Sequence, residues 1–204
     1  MKIGVDIDNV ICTTSEAVVE YLNERLPITL SLDDINEYWM EKSIPEQYRW
    51  AVGLAFHDSA MWKKVKMIEG AAKGIETFYK KGDEIFFVTS TTPDNLKKKI
   101  KFLKRNLPFL SGNYIDDHII TIKQKTLLNL DIMIDDYLDN LIGERSYYSI
   151  CLDYPWNRKI AANTSNFIRV KNWKEIIQTI GIYSNLRANK KLTFQKKYSI
   201  INIE

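Results

Sequence analysis

One form recurs along this chain and constrains its fold more than any other feature: a short apolar run that stops at polar or acidic residues. "IGVDID" (3 to 8), "EIFFVTS" (84 to 90) and "LDIMIDD" (130 to 136) have it, and "YYSICLD" (147 to 153) and "NFIRV" (166 to 170) read as further strands. Runs of this length without alternation suit parallel strands buried on both faces. Helical patterns lie between them. "AAKGIETFYKKG" (71 to 82) stops at Gly82, "TPDNLKKKIKFLKRNL" (92 to 107) carries Pro93 near its start, and "NWKEIIQTIGIY" (172 to 183) follows the last run. Alternation of this kind predicts an α/β fold, a Rossmann-like parallel sheet with helices on both faces.

Residues 15 to 69 break the rhythm with helical, aromatic-rich segments, "SEAVVEYLNERL", "DDINEYWMEKS", "PEQYRWAVGLAF" and "SAMWKKV". They predict a small helical cap inserted after the first strand, leaving 1 to 14 and 70 to 183 as the core. The stretch from 184 to 204 is basic and then apolar. It reads as an extra strand or an arm of unknown role.

The chain's 204 residues, 45% of them hydrophobic, are enough for one good core. The 29 Lys and Arg against 26 Asp and Glu give a net charge of +3, too mild and mixed to argue nucleic-acid binding, while a small anionic substrate is compatible. No run of about 18 apolar residues is present to span a bilayer, and the N-terminus reads directly into a strand without a signal peptide's regions, so no membrane association and a cytoplasmic location are expected. Cys12 and Cys151 form no CxxC pair, in keeping with a reducing compartment. Neither suits a thiolate phosphate loop, since the residues six positions on are Val18 and Asn157 rather than arginine.

The chemistry gathers at strand ends: Asp6 and Asp8, then Thr89 and Ser90, then Asp135 and Asp136. In open parallel sheets a ligand sits outside the carboxyl ends of the strands, so these residues converge there. Asp6, Asp8 and Asp135 together would repel one another without a hard cation, and Mg²⁺ shared between carboxylates and phosphate oxygens is the natural candidate. In such a site Asp6 can attack phosphorus while Asp8 protonates the leaving oxygen and later activates water. Thr89 and Ser90 can donate to phosphate oxygens, and a lysine is needed against the charge that develops on the transferring group. "TIKQKTLL" offers Lys123 and Lys125. Each feature also has a plainer reading, a solvated turn for the DxD and a helix cap for the Thr-Ser before Pro93. The buried-looking Asp-Asp after "IMI" is harder to explain without a site, because an uncompensated buried charge is expensive.

At these residues the sequence resembles the haloacid dehalogenase-like phosphohydrolase superfamily, with "DIDNV", "FFVTS" and "IMIDD" as its first, second and fourth motifs. Within it the chain is most similar to the 5′(3′)-deoxyribonucleotidase family. "KQKTLLNLDIMIDD" puts Lys125 ten residues before Asp135 (135 minus 125), as in that family, and "DYPWN" (153 to 157) and "IEGAAKGIETF" (68 to 78) add further matches. The resemblance covers roughly residues 2 to 175. It implies Mg²⁺-dependent hydrolysis of deoxyribonucleoside monophosphates through an aspartyl-phosphate, with Asp6 as nucleophile and Asp8 as general acid and base. The metal would be held by Asp6, the main-chain carbonyl of Asp8 and Asp135, with Asp136 supporting that shell. Thr89, Ser90 and Lys125 would hold the phosphoryl group.

The same resemblance places Lys123 near the substrate phosphate, as it does one of Lys97, Lys98 or Lys99, and nominates Tyr38 and Trp39 of "EYWMEKS" for the base pocket. For this aromatic pair the plainer reading is packing inside the cap. Phe56 and Trp62 extend the set, and "KKKIKFLKRN" reads otherwise as a solvated helix face. Two departures stand out: Asn9 where the family has Gly, and Glu69 where it has Pro. Asn tolerates left-handed backbone, so the turn can be kept. The expected partner is a small nucleotide. No nucleic-acid partner is expected, and a homodimer is left open. The alternatives are a phosphatase of another small phosphate or of a polynucleotide 3′-end, and a catalytically silent binding protein with this fold.

Overall fold

A computed structural model describes residues 1–159 and 167–201, with side chains through residue 189. The strands are β1 (Lys2–Asp6), β2 (Glu84–Thr89), β3 (Ile119–Thr121), β4 (Ile132–Asp135), β5 (Tyr148–Leu152) and β6 (Ile168–Val170), paired in parallel in the order β3-β2-β1-β4-β5-β6. β3, which no sequence pattern announces, has only the three residues Ile119–Thr121, too few for a periodic signal, and it is defined by its pairing to β2. The chain leaves β1 toward one edge and returns beside it as β4. The switch in strand order therefore falls between the two strands that end in Asp6 and Asp135, where open α/β sheets form a crevice.

The helices are α1 (Thr14–Arg25), α2 (Trp50–His57), α3 (Ser59–Lys64), α4 (Ala71–Lys80), α5 (Pro93–Asn106), α6 (Gly112–Asp117) and α7 (Trp173–Ile201). The first three lie between β1 and α4. The "DDINEYWMEKS" stretch, expected to be helical, instead forms short 3₁₀ turns at Leu32–Asp34 and Met40–Ser43 separated by bends. Here Ile35 and Met40 are buried while Tyr38 and Trp39 are exposed, a pattern that a continuous helical stripe does not produce. Two chain crossings connect this insertion to the sheet. They pair with each other through Thr13 N–H to Lys66 O at 2.9 Å and Ile68 N–H to Ile11 O at 2.9 Å, with Cys12 opposite Met67.

α7 runs on through the stretch expected as a strand or arm. No Gly or Pro follows Gly181, so nothing in the sequence stops the helix, and residues 202 to 204 lie outside the described part. Its first residue anchors it. Trp173 is fully buried, its indole N–H donates to Val10 O at 2.7 Å, and its ring covers Gly74 of α4. One side chain thus ties α7 and α4 to the turn that follows the acids of β1.

Gly74, itself buried, is where that packing constrains the sequence most tightly. Alanine inside a helix normally gains about 1 kcal/mol over glycine. Here a Cβ would stand 2.4 Å from Trp173 Cε3 and 2.7 Å from Cζ3, both on a buried ring held by its own hydrogen bond. Overpacking wins, and Gly74→Ala should destabilise the protein by about 1–3 kcal/mol in urea or thermal unfolding. A variant as stable as wild type would show that the Trp173 contact is not rigid.

Candidate active site

β1 and β4 carry Asp6 and Asp135 to adjacent carboxyl ends because both strands pair directly, Val5 opposite Ile134. β1 ends at Asp6, so Asp8 does not share its face as it would in a continuing strand. The chain turns at Asn9, whose φ of 56° is the left-handed conformation that asparagine tolerates. Asp6 is 5% exposed, Asp135 1% and Asp136 2%, and one oxygen from each lies within 4.8 Å of the others.

Lys125 is buried on the 3₁₀ turn Lys125–Leu127 and bridges this cluster. Its ammonium donates to Asp6 Oδ1 and, at 2.8 Å, to Asp135 Oδ2. A second buried lysine, Lys99 of α5, donates to Asp8 Oδ2 and, at 2.8 Å, to Thr89 Oγ1 at the end of β2. Thr14 donates to the other oxygen of Asp8 at 2.7 Å. The two aspartates of the DxD therefore hold separate lysines and stand in different surroundings.

The acids are short of positive charge. Burial pushes Asp6 up to about 7, with Asp135 and Asp8 adding to the effect against the opposing pull of Lys125. Burial, then Asp6 and Asp135, hold Asp136 well above the usual carboxylate range. Burial alone would lower Lys125, but Asp135 and Asp6 raise it instead, so it stays an ammonium. Three buried carboxylates against one bridging ammonium make a hard-oxygen donor set whose deficit a cation would correct, and the cluster of Asp6, Asp135 and Asp136 can hold a metal ion.

The carboxylates are oriented by outer donors. Asn140 Nδ2 reaches Asp135 Oδ2 at 3.0 Å and the Tyr137 N–H reaches Oδ1 at 2.9 Å. Trp156 Nε1 and Asn9 Nδ2 both donate to Asp136 Oδ2 at 3.1 Å, and Asn157 Nδ2 donates to the Asp136 carbonyl at 2.9 Å. The "PWN" of the sequence thus lies directly beneath the acidic pair.

A cavity of about 650 Å³ opens beside Asp8, lined on the sheet side by Asp8, Asn9, Ser90 and Lys99. Tyr38, Trp39, Trp50, Phe56 and Trp62 line it from the insertion. Ser90 is exposed at its floor, whereas Thr89 is buried and committed to Lys99. Tyr38 stacks on Tyr137 with ring centres 3.6 Å apart, so the insertion touches the chain immediately after Asp136. Lys98 ties the other side, donating to Phe56 O at 3.2 Å and His57 O at 3.3 Å at the end of α2. Lys123 is not brought in: it is exposed and has no hydrogen bond or ion pair among the described residues.

Lys99 was one of three candidates in its lysine run, and a positional signal singles it out. Asn95, Lys99, Phe102 and Leu103 are the buried residues of α5, a helical stripe in which Lys99 sits one turn before the apolar pair. Asn140, Trp156 and Asn9 carry no such signal as holders of the acids, since their role depends on tertiary contact.

Comparison with known proteins shows the family and the fold. The family model described as "5′ nucleotidase, deoxy (Pyrimidine), cytosolic type C protein" matches residues 1–190. The chain is 30% identical to a 5′(3′)-deoxyribonucleotidase of Bacillus subtilis (strain 168), over 85% of this chain and 95% of that one. It is 27% identical to a putative nucleotidase of Halalkalibacterium halodurans, over 85% and 89% of the two chains. Among solved structures, a HAD family hydrolase from Deinococcus radiodurans R1 shares the fold with a TM-score of 0.54 at 14% identity, covering 86% of this chain and 92% of that one.

A pH dependence follows from Asp6. Its folded-state pKa of about 7 lies above the ordinary 3.8, so the folded protein keeps a proton that the unfolded chain has released. The stability of the metal-free protein relative to Asp6→Asn should therefore be greatest below about pH 4 and fall as pH rises to about 7. Urea unfolding of both proteins at several pH values measures the difference, and a pH-independent difference would contradict the shift. Asp136→Asn should likewise stabilise the metal-free protein at neutral pH.

Proposed function

The chain belongs to the cytosolic type C deoxy-5′-nucleotidase family, and from that premise we propose how its residues carry out phosphomonoester hydrolysis on deoxyribonucleoside monophosphates. The observation that carries the reading is the separation of the two aspartates, Asp6 on Lys125 and Asp8 on Lys99, with Asp8 and Lys99 lining an aromatic cavity.

Asp6 is the nucleophile. Its carboxylate is fixed by Lys125 and faces the crevice between β1 and β4, and its attack on phosphorus forms an aspartyl-phosphate while the P–O bond to the nucleoside breaks. Asp8 supplies the proton to the leaving oxygen, and its carboxylate then takes a proton from the water that hydrolyses the intermediate, regenerating Asp6 and releasing phosphate. Thr14 and Lys99, on opposite oxygens of Asp8, hold it in the position both steps need. Ser90 at the cavity floor and Lys99 donate to phosphoryl oxygens, and Thr89 orients Lys99. Lys125 balances charge on the transferring group from beneath.

Mg²⁺ suits the Asp6, Asp135 and Asp136 oxygens, and when bound it would supply positive charge that offsets the repulsion between the phosphoryl oxygens and the attacking carboxylate. Tyr38 and Trp39, with Trp50 across the cavity, offer flat apolar faces to a base, and residues 15 to 69 act as the cap that closes over it. Lys123 has no part in binding here, because its exposed side chain does not line the cavity.

Phosphate release from deoxyribonucleotides, ribonucleotides, sugar phosphates and a 3′-phosphorylated oligonucleotide, with and without Mg²⁺, tests the reading. Deoxyribonucleoside monophosphates should be preferred, activity should vanish without a divalent cation, and Asp6→Asn should fall to background. Asp8→Asn should lower kcat by about 10²–10⁴-fold. Full turnover by Asp6→Asn would overturn the mechanism, and turnover of only the unrelated phosphates would overturn the substrate class.

A further inference from the structure

The turn after β1 contains a side chain that the mechanism above does not use. Asn9 is 7% exposed and holds a left-handed φ of 56°, which asparagine tolerates but glycine accepts freely. Its amide is fully engaged across the site. Nδ2 donates to Asp136 Oδ2 at 3.1 Å, and Oδ1 accepts the backbone N–H of Ser15 at 2.9 Å, within the first turn of α1. The backbone N–H of Asn9 donates to Cys12 O at 2.8 Å, so the turn itself does not need the side chain.

We propose that Asn9 is a positioning residue for the metal-binding carboxylate Asp136, joining it to the root of the inserted helices. The inference rests on the divalent-cation reading of the acidic cluster. Asp136 is the acid with no bond to Lys125, and its side-chain partners are the neutral donors Asn9 and Trp156, both on Oδ2. Two donors on one oxygen fix the rotation of the carboxylate and leave Oδ1 for a cation. Outer-shell hydrogen bonds of this kind hold a ligand in its binding orientation before the ion arrives, and their loss typically weakens metal affinity about 10- to 100-fold. The second bond, from Ser15 N–H to Oδ1, fixes the other end of the amide and so its rotation.

Asn9→Gly is the direct test, because glycine takes the same φ without strain while both side-chain bonds are lost. Calorimetric titration with Mg²⁺ should show affinity weakened about tenfold relative to wild type. The Mg²⁺ concentration for half-maximal phosphate release should rise by the same factor, with KM for the nucleotide at saturating Mg²⁺ nearly unchanged. Trp156→Phe, which removes the other donor to the same oxygen and leaves the turn intact, should weaken Mg²⁺ affinity similarly. Unchanged Mg²⁺ affinity in Asn9→Gly, with or without a lower Tm, would overturn the inference and leave Asn9 a purely structural turn residue. If wild type itself binds no Mg²⁺, the cation reading fails and the inference falls with it.

Discussion

The buried ammonium of Lys125, set between Asp6 and Asp135, is the interaction on which the rest of the site depends. Parallel pairing of β1 with β4 brings two carboxylates to the same crevice, and without a cation between them their burial would be prohibitive. One lysine is enough to let the fold form but not enough to neutralise the cluster. Asp6 and Asp136 both remain shifted upward, and that residual deficit is what makes the site receptive to a divalent ion. Stability and function are thus opposed at the same three oxygens.

The outer donors reconcile them. Asn140 and the Tyr137 N–H serve Asp135, while Asn157 holds the Asp136 carbonyl and is itself gripped by Arg169 through its main-chain oxygen at 2.7 Å. These contacts come from the loop after β4, from the turn after β5 and from β6, so the far half of the sheet sets the aim of the acids. The near half holds Asp8 through Lys99, which Thr89 also engages. The aromatic cavity lies beside Asp8, and the insertion that carries its rings is fastened by the Tyr38 and Tyr137 stack on one side and by Lys98 against α2 on the other.

The sheet was legible because a strand buried on both faces leaves an uninterrupted apolar run, and because a functional strand end must break that run with charge. "IGVDID" and "LDIMIDD" show both. β3 was not legible, since three residues carry no period, and the extent of α7 was missed because a basic and then apolar sequence does not by itself distinguish helix from strand. Within the site, Asp6, Asp8, Thr89, Ser90, Asp135 and Asp136 could be named from their places at strand ends, whereas Lys125 was separated from Lys123 only by the family spacing to Asp135. Lys99 required the step of aligning a lysine with the buried stripe of its helix, against the usual rule that lysine runs face water. The supporting amides of Asn9, Asn140 and Asn157 act through contacts between distant parts of the chain, which no local pattern encodes.

The central claim is that the acidic cluster is incomplete until a cation joins it, and proton release on metal binding tests it most directly. Calorimetric titration of Mg²⁺ at pH 7 in buffers of different ionisation enthalpy gives the number of protons released. With Asp6 titrating at about 7, the account predicts a release of protons at pH 7 that diminishes in the Asp6→Asn protein. Mg²⁺ binding with no proton release would mean that the carboxylates are already fully ionised and compensated, and it would contradict the account.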